Sequence, residues 1–272
     1  PLHDALPIFP MTITINDGRM CIGRLSMGRA ADTGDRVGGR CDVWINSGEL
    51  YLLDYIYWMS TSWAGRTNTI TLGNGISSTA KLSTPLMHRG STNGRAILNL
   101  NGGTLECRAA SANFLSGLTE VNLLVGGTTI DTLTNSVTIT ESILRSPSLS
   151  PDTRDGGLTK RGGGSLTFSG ANLQFNGPLR VLDGSLRISP AMLSDLEEIT
   201  LAPGKTLSFR GSYRQALTPQ FLTLGDATTA SRLDLDVASD GSDCDTLHIP
   251  AGGFVGKRSE EHTSELQSPN TI

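Results

Sequence analysis

The chain has 272 residues, with 22 basic and 26 acidic side chains and a formal net charge of −4. Glycine is frequent, at 32 residues, while aromatic residues make up only 5%. A charge this close to neutral argues against a nucleic acid or an anionic membrane as partner, and the glycine content favours short strands joined by tight turns.

Both ends of the chain resemble translated sequencing adapter. Residues 2–8 read LHDALPI and residues 258–268 read RSEEHTSELQS. We therefore expect residues 1–8 and 258–272 to be adapter-derived and to carry no fold. Without them, 21 basic and 22 acidic residues remain. We interpret residues 9–257 as one internal fragment of a longer protein.

One short pattern recurs along the chain, a glycine followed by a strand of the form G-x-L-x-apolar. It is clear at four glycines and looser at two more: Gly48, Gly103, Gly164 and Gly184, then Gly127 and Gly204. Other alternating runs precede several copies, at 43–45, 97–100, 121–125 and 199–201. Where the period is clearest it is about twenty residues, which is typical of stacked solenoid coils.

The pattern predicts an all-β fold, a right-handed parallel β-helix. One coil cannot bury its apolar face alone, so stacked coils pair their strands in parallel and join their inward Leu, Ile, Val and Phe into one core. Glycine at the corners permits a positive φ angle, and we expect Asn101 and Asn176 to tolerate the same conformation. An antiparallel sandwich or barrel is the alternative, since strands of period two fit both.

The most aromatic segment is residues 50–63, LYLLDYIYWMSTSW, which with Trp44 holds all three tryptophans. It is too short and too polar at its ends to cross a bilayer, so we expect no membrane insertion. We interpret it as aromatic-rich strands that pack against the first coils. A surface that stacks on a ligand is the alternative.

Two further segments interrupt the repeats. Residues 146–157, SPSLSPDTRDGG, have the composition of an exposed loop that projects between two coils. Residues 191–198, AMLSDLEE, predict one short helix, because Met192, Leu193 and Leu196 fit an amphipathic pattern.

Residues 157–188 hold the clearest copy of the repeat, GLTKRGGGSLTFSGANLQFNGPLRVLDGSLRI. Apolar residues two apart share one face of a strand, and four such pairs alternate here with turns: Leu166 and Phe168, Leu173 and Phe175, Leu179 and Val181, and Leu186 and Ile188. The segment resembles the autotransporter-associated β-strand repeat, also called the passenger-associated transport repeat. The matching positions are Gly157, Leu158, Thr159, Lys160, Gly162, Gly164, Leu166, Phe168, Gly170, Asn172, Gly184, Leu186 and Ile188.

This resemblance implies a passenger-region fragment of an autotransporter-like protein, exported across a bacterial outer membrane to the cell surface or the extracellular space. In that family the repeat is tied to passenger folding and secretion, which implies a structural stalk and not an enzyme. The implied partner is the protein's own translocator barrel, downstream of Lys257. Three alternatives remain open: an adhesin that presents residues 50–63 or 146–157 to a surface glycan or host protein, a β-helix polysaccharide lyase or hydrolase, and a surface-layer or sheath protein.

The strongest functional pattern is an acidic cluster near the end of the chain. Asp240, Asp243 and Asp245 lie around a glycine turn, and their oxygens could bind calcium. The cluster lacks the glutamate of an EF-hand loop, and Asp234 and Asp236 alternate with apolar residues as on the outer face of a strand. We therefore favour a structural interpretation and predict no metal and no cofactor.

The remaining reactive side chains form no recognisable motif. The four cysteines lie far apart, which argues against zinc or a redox pair, although disulfides are allowed in a secreted protein: Cys21, Cys41, Cys107 and Cys244. Cys107 lies at an inward strand position. His88 and His248 have no local Ser or Asp partner, and Arg187 and Arg210 fall at ordinary outward positions. The sequence therefore predicts no catalytic residue.

Overall fold

A computed structural model describes residues 11–27, 40–58, 67–90, 94–169, 173–189, 196, 198–209, 216–217, 219–226, 228–234, 246–247 and 254–256. These ranges contain 28 β-strands and no helix, and every strand pairing within them is parallel. Strands that are neighbours in a sheet belong to successive coils of the chain. The predicted all-β parallel β-helix is confirmed.

Sheets A and B form two faces of the solenoid. Sheet A contains β1 (Met11–Ile15), β4 (Cys41–Ile45), β7 (Thr67–Leu72), β10 (Arg95–Leu100), β13 (Glu120–Leu123), β16 (Ile143–Arg145) and β19 (Leu173–Gln174). Sheet B contains β2 (Arg19–Ile22), β5 (Glu49–Leu52), β8 (Lys81–Thr84), β11 (Thr104–Cys107), β14 (Thr128–Asp131), β17 (Leu158–Arg161), β20 (Leu179–Val181), β22 (Glu198–Leu201), β25 (Phe221–Leu224) and β28 (Phe254–Gly256).

The third face is divided between two sheets. Sheet C contains β3 (Leu25–Met27), β6 (Ile56–Trp58), β9 (Met87–Arg89) and β12 (Leu115–Ser116). Sheet D contains β15 (Val137–Ile139), β18 (Ser165–Phe168), β21 (Ser185–Ile188), β23 (Thr206–Phe209) and β26 (Arg232–Asp234). Ser111, four residues before β12, forms an isolated parallel bridge with Val137 of β15, so that sheet D begins one coil after sheet C ends. A small sheet E pairs β24 (Ala216–Leu217) with β27 (Thr246–Leu247).

The length of a coil varies because insertions lie between the strands. Ser165 pairs with Ser185 in sheet D, a step of 20 residues that matches the predicted period. Leu158 of sheet B pairs with Thr128, a step of 30. Residues 146–157 account for much of this longer step, and they connect β16 with β17 inside a single coil. The expectation of a loop between two coils was therefore wrong.

One apolar core runs through the stacked coils. All eight residues of the four predicted pairs in 157–188 are buried, and they belong to a continuous cluster that extends from Ile15 to Leu222. In sheet D, Leu166 lies between Val137 and Leu186 in the strand register. Burying such a side chain contributes about 1.5–3 kcal/mol. Because the contacts cross from coil to coil, each coil stabilises its neighbours.

The G-x-L pattern marks a corner and not a fixed position in the coil. Gly48 and Gly103 precede strands of sheet B, whereas Gly164 and Gly184 precede strands of sheet D. In each copy the leucine two residues later is buried. The period of about twenty residues is visible where successive copies belong to the same sheet.

Successive coils approach each other closely at these corners. Gly184 has a φ angle of +65°, and a Cβ atom there would lie 2.2 Å from the carbonyl oxygen of Gly164. Gly204, at the equivalent corner one coil later, has a φ angle of +72°, but a Cβ atom there would make only an ordinary van der Waals contact, with Thr229 Cγ2 at 3.7 Å. Glycine is thus required at one corner by conformation and contact, and at the other by conformation alone.

The corner asparagines work differently from expectation. Among the described residues, Leu133 is the one non-glycine with a positive φ angle, so Asn101 and Asn176 do not adopt that conformation. Instead, Asn101 Oδ1 accepts the backbone N–H of Gly126 at 3.1 Å, and Asn176 Oδ1 accepts that of Asp155 at 3.0 Å. These bonds connect adjacent coils.

Some predictions fall outside the described residues. Most of the predicted helix over 191–198 lies outside the described residues. Of its described positions, Leu196 is buried without regular structure and Glu198 begins β22. The termini interpreted as adapter-derived, residues 1–8 and 258–272, lie outside as well.

Candidate functional site

The outer face of sheet A carries a row of aligned side chains that runs along the solenoid axis. Strand register aligns one outward residue from each of the seven strands, and we call this set the axial row: Thr14, Trp44, Thr71, Asn99, Asn122, Leu144 and Gln174. Neighbouring strands lie about 4.8 Å apart, so the row repeats at that spacing. Trp44 is 41% exposed and Leu144 is 36% exposed.

Polar members of the axial row are hydrogen bonded to one another. Asn122 Nδ2 donates to Asn99 Oδ1 at 3.1 Å, and Asn99 Nδ2 donates to Thr71 Oγ1 at 3.4 Å. Asn122 Nδ2 also donates to Glu120 Oε2 at 3.3 Å, so both N–H donors of this amide are used. Thr71 and Asn122 are buried. The members of the row that reach solvent are therefore Thr14, Trp44, Leu144 and Gln174, with Asn99 half-buried between them.

A groove of about 610 Å³ lies over the later strands of sheet A. It is lined by residues from β10, β13, β16 and β19 and from the segments that follow β16 and β19: Arg95, Glu120, Asn122, Leu144, Arg145, Pro147, Gln174, Phe175 and Asn176. Three of these belong to the axial row. Pro147 belongs to residues 146–157, which we call the inserted loop, so the loop flanks one side of the groove.

Arg145 holds the inserted loop in a folded conformation. Its Nη2 donates to the carbonyl oxygens of Ser150 and Thr153, the second at 2.8 Å. The hydroxyl oxygens of the same two residues lie 2.6 Å apart and are hydrogen bonded. The predicted loop is exposed in part, but it is ordered by its own polar contacts.

Asp155 fixes the end of the loop to the next coil. The side chain is buried, and its Oδ1 accepts the N–H groups of Gly157 at 2.9 Å and Gly177 at 3.0 Å. Its Oδ2 accepts the N–H of Asn176 at 2.9 Å. Hydrogen bonds to an ionised acceptor are the stronger kind. One carboxylate thus positions the loop beside the groove.

The charged side chains of the groove are already engaged. Arg95 and Glu120 form an ion pair, and Glu120 also accepts a hydrogen bond from Asn122 Nδ2 at 3.3 Å. Arg145 Nη2 is bound to the loop carbonyls, while its Nε is buried without a partner among the described atoms. The exposed amide of Gln174 and the apolar surface of Leu144 therefore face solvent in the groove.

A second charged site is the ammonium group of Lys160, in the core between sheets B and D. The residue is fully buried, and its Nζ donates to the carbonyl oxygens of Arg161, Gly162 and Asp183 at 2.7, 2.6 and 3.2 Å. Burial lowers the pKa of Lys160 to about 8, with the carboxylates of Asp183 and Asp131 acting in the opposite direction. A lysine with a depressed pKa can serve as a base. Here three carbonyl oxygens accept hydrogen bonds from all three ammonium protons. The lysine therefore has a structural role, in which it connects residues 161–162 to Asp183 of the next coil.

An open cleft of about 710 Å³ lies at the same corner. Its charged lining residues are Asp131, Arg161, Asp183 and Lys205. Lys205 Nζ lies 2.7 Å from Asp183 Oδ1, and this contact lowers the pKa of the Asp183 carboxyl. Asp131 Oδ1 accepts the N–H of Leu133 at 2.8 Å. The acidic groups of the cleft therefore have structural partners.

The aromatic segment is divided between the core and the outer face of sheet C. Trp58 is fully buried, as expected of strands that pack against the first coils, although its Nε1 has no partner among the described atoms. Tyr55, Tyr57 and His88 cluster on the outer face with ring centroids 4.6–6.3 Å apart. Trp63 lies outside the described residues.

Tyr51 does not offer a free ring face. The guanidinium carbons of Arg19 and Arg108 each lie 3.9 Å from its ring centroid. Arg108 also donates to the carbonyl oxygen of Leu52 at 2.5 Å. These cation–π contacts connect coils, and they fill the space that a stacked ligand would need.

The acidic cluster is described only at Asp234. This residue ends β26, where its Oδ1 lies 2.6 Å from Arg232 Nε and its Oδ2 accepts the hydroxyl of Ser208 at 3.0 Å. The other residues of the predicted cluster lie outside the described part of the chain: Asp236, Asp240, Asp243 and Asp245. Their capacity to bind calcium stays a prediction.

The described histidine and arginine candidates have separate surroundings. Burial lowers the pKa of His88, which contacts the two tyrosine rings. Arg187 is exposed on the outer face of sheet D, as predicted. His248 and Arg210 lie outside the described residues.

Three cysteines are described and all are free thiols. Cys21 is exposed, while Cys41 and Cys107 are buried, so the inward position predicted for Cys107 is confirmed. Burial, and secondarily the Asp42 carboxylate, raises the pKa of Cys41 to about 11. Burial raises the pKa of Cys107 as well. Cys244 lies outside the described residues.

Comparison of the chain with family models, curated proteins and solved structures found no match in any of the three. Within the described ranges, no group of three or more His, Cys, Asp or Glu side chains is placed to hold a metal ion. The same ranges contain no helix long and apolar enough to cross a membrane.

Sequence reasoning missed the roles of Lys160, Asp155 and the axial row. Lys160 lies two residues after the buried Leu158, so strand alternation gave a usable signal for its inward position. Asp155 lies in a loop, where no periodicity applies. The axial row depends on which residues pair between coils, and that register follows from insertion lengths that no local pattern encodes.

Proposed function

We propose that this chain is a structural stalk segment of an exported, autotransporter-like surface protein. It folds coil by coil outside the bacterial outer membrane, and it catalyses no reaction there. Its partner is the protein's own translocator barrel. The observation that carries the proposal is the continuity of sheet B, whose ten strands pair in parallel and nine of which, β2 to β25, contribute side chains to one apolar core.

This continuity supports a rigid rod. Nine strand spacings of about 4.8 Å give sheet B a length of about 43 Å. Each coil gains its stability from contact with the preceding coil, so that folding of one coil favours folding of the next. Such stepwise stacking provides free energy for export without a separate energy source on the outer surface.

Ion pairs between successive coils also support a structural role, because they connect neighbouring strands. On the outer face of sheet B, Glu49 lies between Arg19 and Lys81 at 2.9 and 3.4 Å, and Lys81 continues to Glu106 at 2.5 Å. A single exposed pair contributes roughly 0–1 kcal/mol, and a network of pairs contributes more. These groups stabilise the stack across four successive strands.

The test is an export assay on the full chain, placed between a signal peptide and a translocator barrel in a Gram-negative bacterium. Leu166→Asp puts a charge into the core of sheet D, whereas Thr167→Asp puts the same charge on its outer face. We expect the chain and the Thr167 variant to reach the surface, and Leu166→Asp to reduce surface exposure by about fivefold or more, because it breaks the stack. Equal exposure of both variants, or a parent chain retained in the periplasm, would contradict the proposal.

A further inference from the structure

We propose that the axial row and the adjoining groove bind a neutral, extended polysaccharide chain that lies parallel to the solenoid axis. This binding function is separate from the stalk function and does not depend on it. The juxtaposition that carries it is an exposed aromatic ring at Trp44, the half-buried amide of Asn99, and the exposed Leu144 and Gln174 at the far end, all in one strand register.

Spacing is the first argument. Successive members of the row are separated by about 4.8 Å, and five steps from Trp44 to Gln174 cover about 24 Å. This step is close to the length of one sugar residue in an extended chain. An extended peptide rises about 3.3 Å per residue, and its side chains on one face repeat at twice that distance, so a peptide would lose register with the row.

Chemical complementarity is the second argument. Sugar hydroxyls both donate and accept hydrogen bonds, and so do the amides of Asn99 and Gln174. Sugar rings also have apolar faces, which suit the exposed indole of Trp44 and the exposed surface of Leu144. An apolar platform combined with a few oriented polar groups is the usual composition of a small-molecule site.

The contacts already made by the charged side chains favour a neutral over an acidic chain. The groove contains two arginines, but Arg95 is paired with Glu120 and Arg145 is bound to the carbonyl oxygens of Ser150 and Thr153. An acidic sugar would have to displace these contacts, whereas a neutral sugar would not. The geometry therefore favours a neutral hexose or pentose polymer.

The inserted loop makes the groove a preformed site. Arg145 folds the loop, and Asp155 fixes its end through three backbone N–H groups of the described chain. Insertions in solenoids map to loops on one face, which is often the binding face. A groove that is rigid before binding loses less conformational entropy when the ligand binds.

The experiment is isothermal titration calorimetry of the full 272-residue chain with linear β-1,4-linked hexasaccharides of glucose, mannose or xylose. We expect at least one of these probes to bind with a Kd below about 1 mM. Trp44→Ala and Gln174→Ala, at opposite ends of the row, should each weaken binding by about fivefold or more. Gln174 is exposed, so its variant retains the fold even where the tryptophan variant unfolds.

Phe221→Ala is the matched control, because Phe221 is an aromatic residue that is 58% exposed on sheet B, away from the row. It should leave the affinity unchanged. The proposal is overturned if none of the neutral probes binds, if a hexagalacturonate binds and they do not, or if the Phe221 variant loses as much affinity as the two row variants.

Discussion

Asp155 and Asn176 exchange hydrogen bonds between two successive coils. The carboxylate Oδ2 of Asp155 accepts the backbone N–H of Asn176 at 2.9 Å, and the side-chain Oδ1 of Asn176 accepts the backbone N–H of Asp155 at 3.0 Å. The reciprocal pair closes the inserted loop at the corner between sheets A and B. It connects the inserted loop that flanks the groove to the clearest copy of the repeat, residues 157–188.

Replacing Asp155 by alanine should open this corner locally. Three backbone N–H groups, those of Gly157, Asn176 and Gly177, would lose a charged acceptor, at a cost of about 3 kcal/mol. Hydrogen exchange measured by mass spectrometry should then show these amides exchanging about 100-fold faster. Asp152→Ala, an exposed change in the same loop, is the control and should alter exchange little. Equal protection in both variants would show that the carboxylate does not fix the loop.

Two glycines at equivalent corners should respond differently to alanine. Gly184→Ala adds a Cβ atom 2.2 Å from the Gly164 carbonyl oxygen as well as positive-φ strain, and it should destabilise the chain by about 3 kcal/mol or more. Gly204→Ala adds the strain alone and should cost about 1 kcal/mol. Urea unfolding followed by circular dichroism measures both. A Gly204 variant as unstable as the Gly184 variant would refute the close approach of the coils.

Lys160 should make stability depend on pH in the alkaline range. Burial lowers its pKa in the folded chain from the ordinary value of 10.5 to about 8. Between these pH values the unfolded chain binds more protons than the folded chain, so the free energy of unfolding rises with pH. The full rise from this group is about 3 kcal/mol, and it is absent below pH 8, where both states carry the proton.

Lys160→Met removes the titrating group and is the comparison for this measurement. Urea unfolding at pH 7.5, 9 and 10.5 should show the parent chain gaining stability relative to the variant at each step. Other lysines and the tyrosines titrate in both proteins, so the difference isolates Lys160. A constant difference across the three pH values would rule out a depressed pKa.

The cysteines should differ sharply in reactivity. Cys21 is exposed, whereas burial raises the pKa of Cys41 to about 11 and holds Cys107 in the core. Because the thiolate is the reactive form, iodoacetamide at pH 8 should label Cys21 at least about 100-fold faster than the two buried thiols. Peptide mass spectrometry reads out each site, with urea-unfolded chain as the control in which all three react. Rapid native labelling of Cys107 would contradict its inward position.

Alternation in the sequence predicted the core well because it is a local property. Leu166 and Phe168 lie two apart and both are buried, as strand geometry requires. Lys160 also lies two residues after a buried leucine and is itself buried. Because lysine is charged, the alternation of apolar residues did not indicate its inward position. The G-x-L motif was informative about corners and, where it is clearest, about the period, but it did not show that Gly103 and Gly164 precede strands of different sheets.

The candidate site was much harder to predict than the core. Trp44 and Gln174 lie in one row only because the intervening coils keep register across steps of different length. Asp155 accepts hydrogen bonds from backbone N–H groups of the next coil. Because almost every residue type has a backbone N–H, the sequence does not show which residues donate them. Such features follow from the stacking of the coils and become visible only when their register is known.

The in-register parallel stack is the central claim, and one distance tests it directly. Thr14 and Gln174 are exposed residues at the two ends of the axial row, separated by six strand spacings. Spin labels on Thr14→Cys and Gln174→Cys, with the native cysteines replaced by alanine, should give a narrow double electron–electron resonance distribution centred near about 29 Å. A distance below about 20 Å, or a broad distribution, would contradict the stacked solenoid and the binding row built on it.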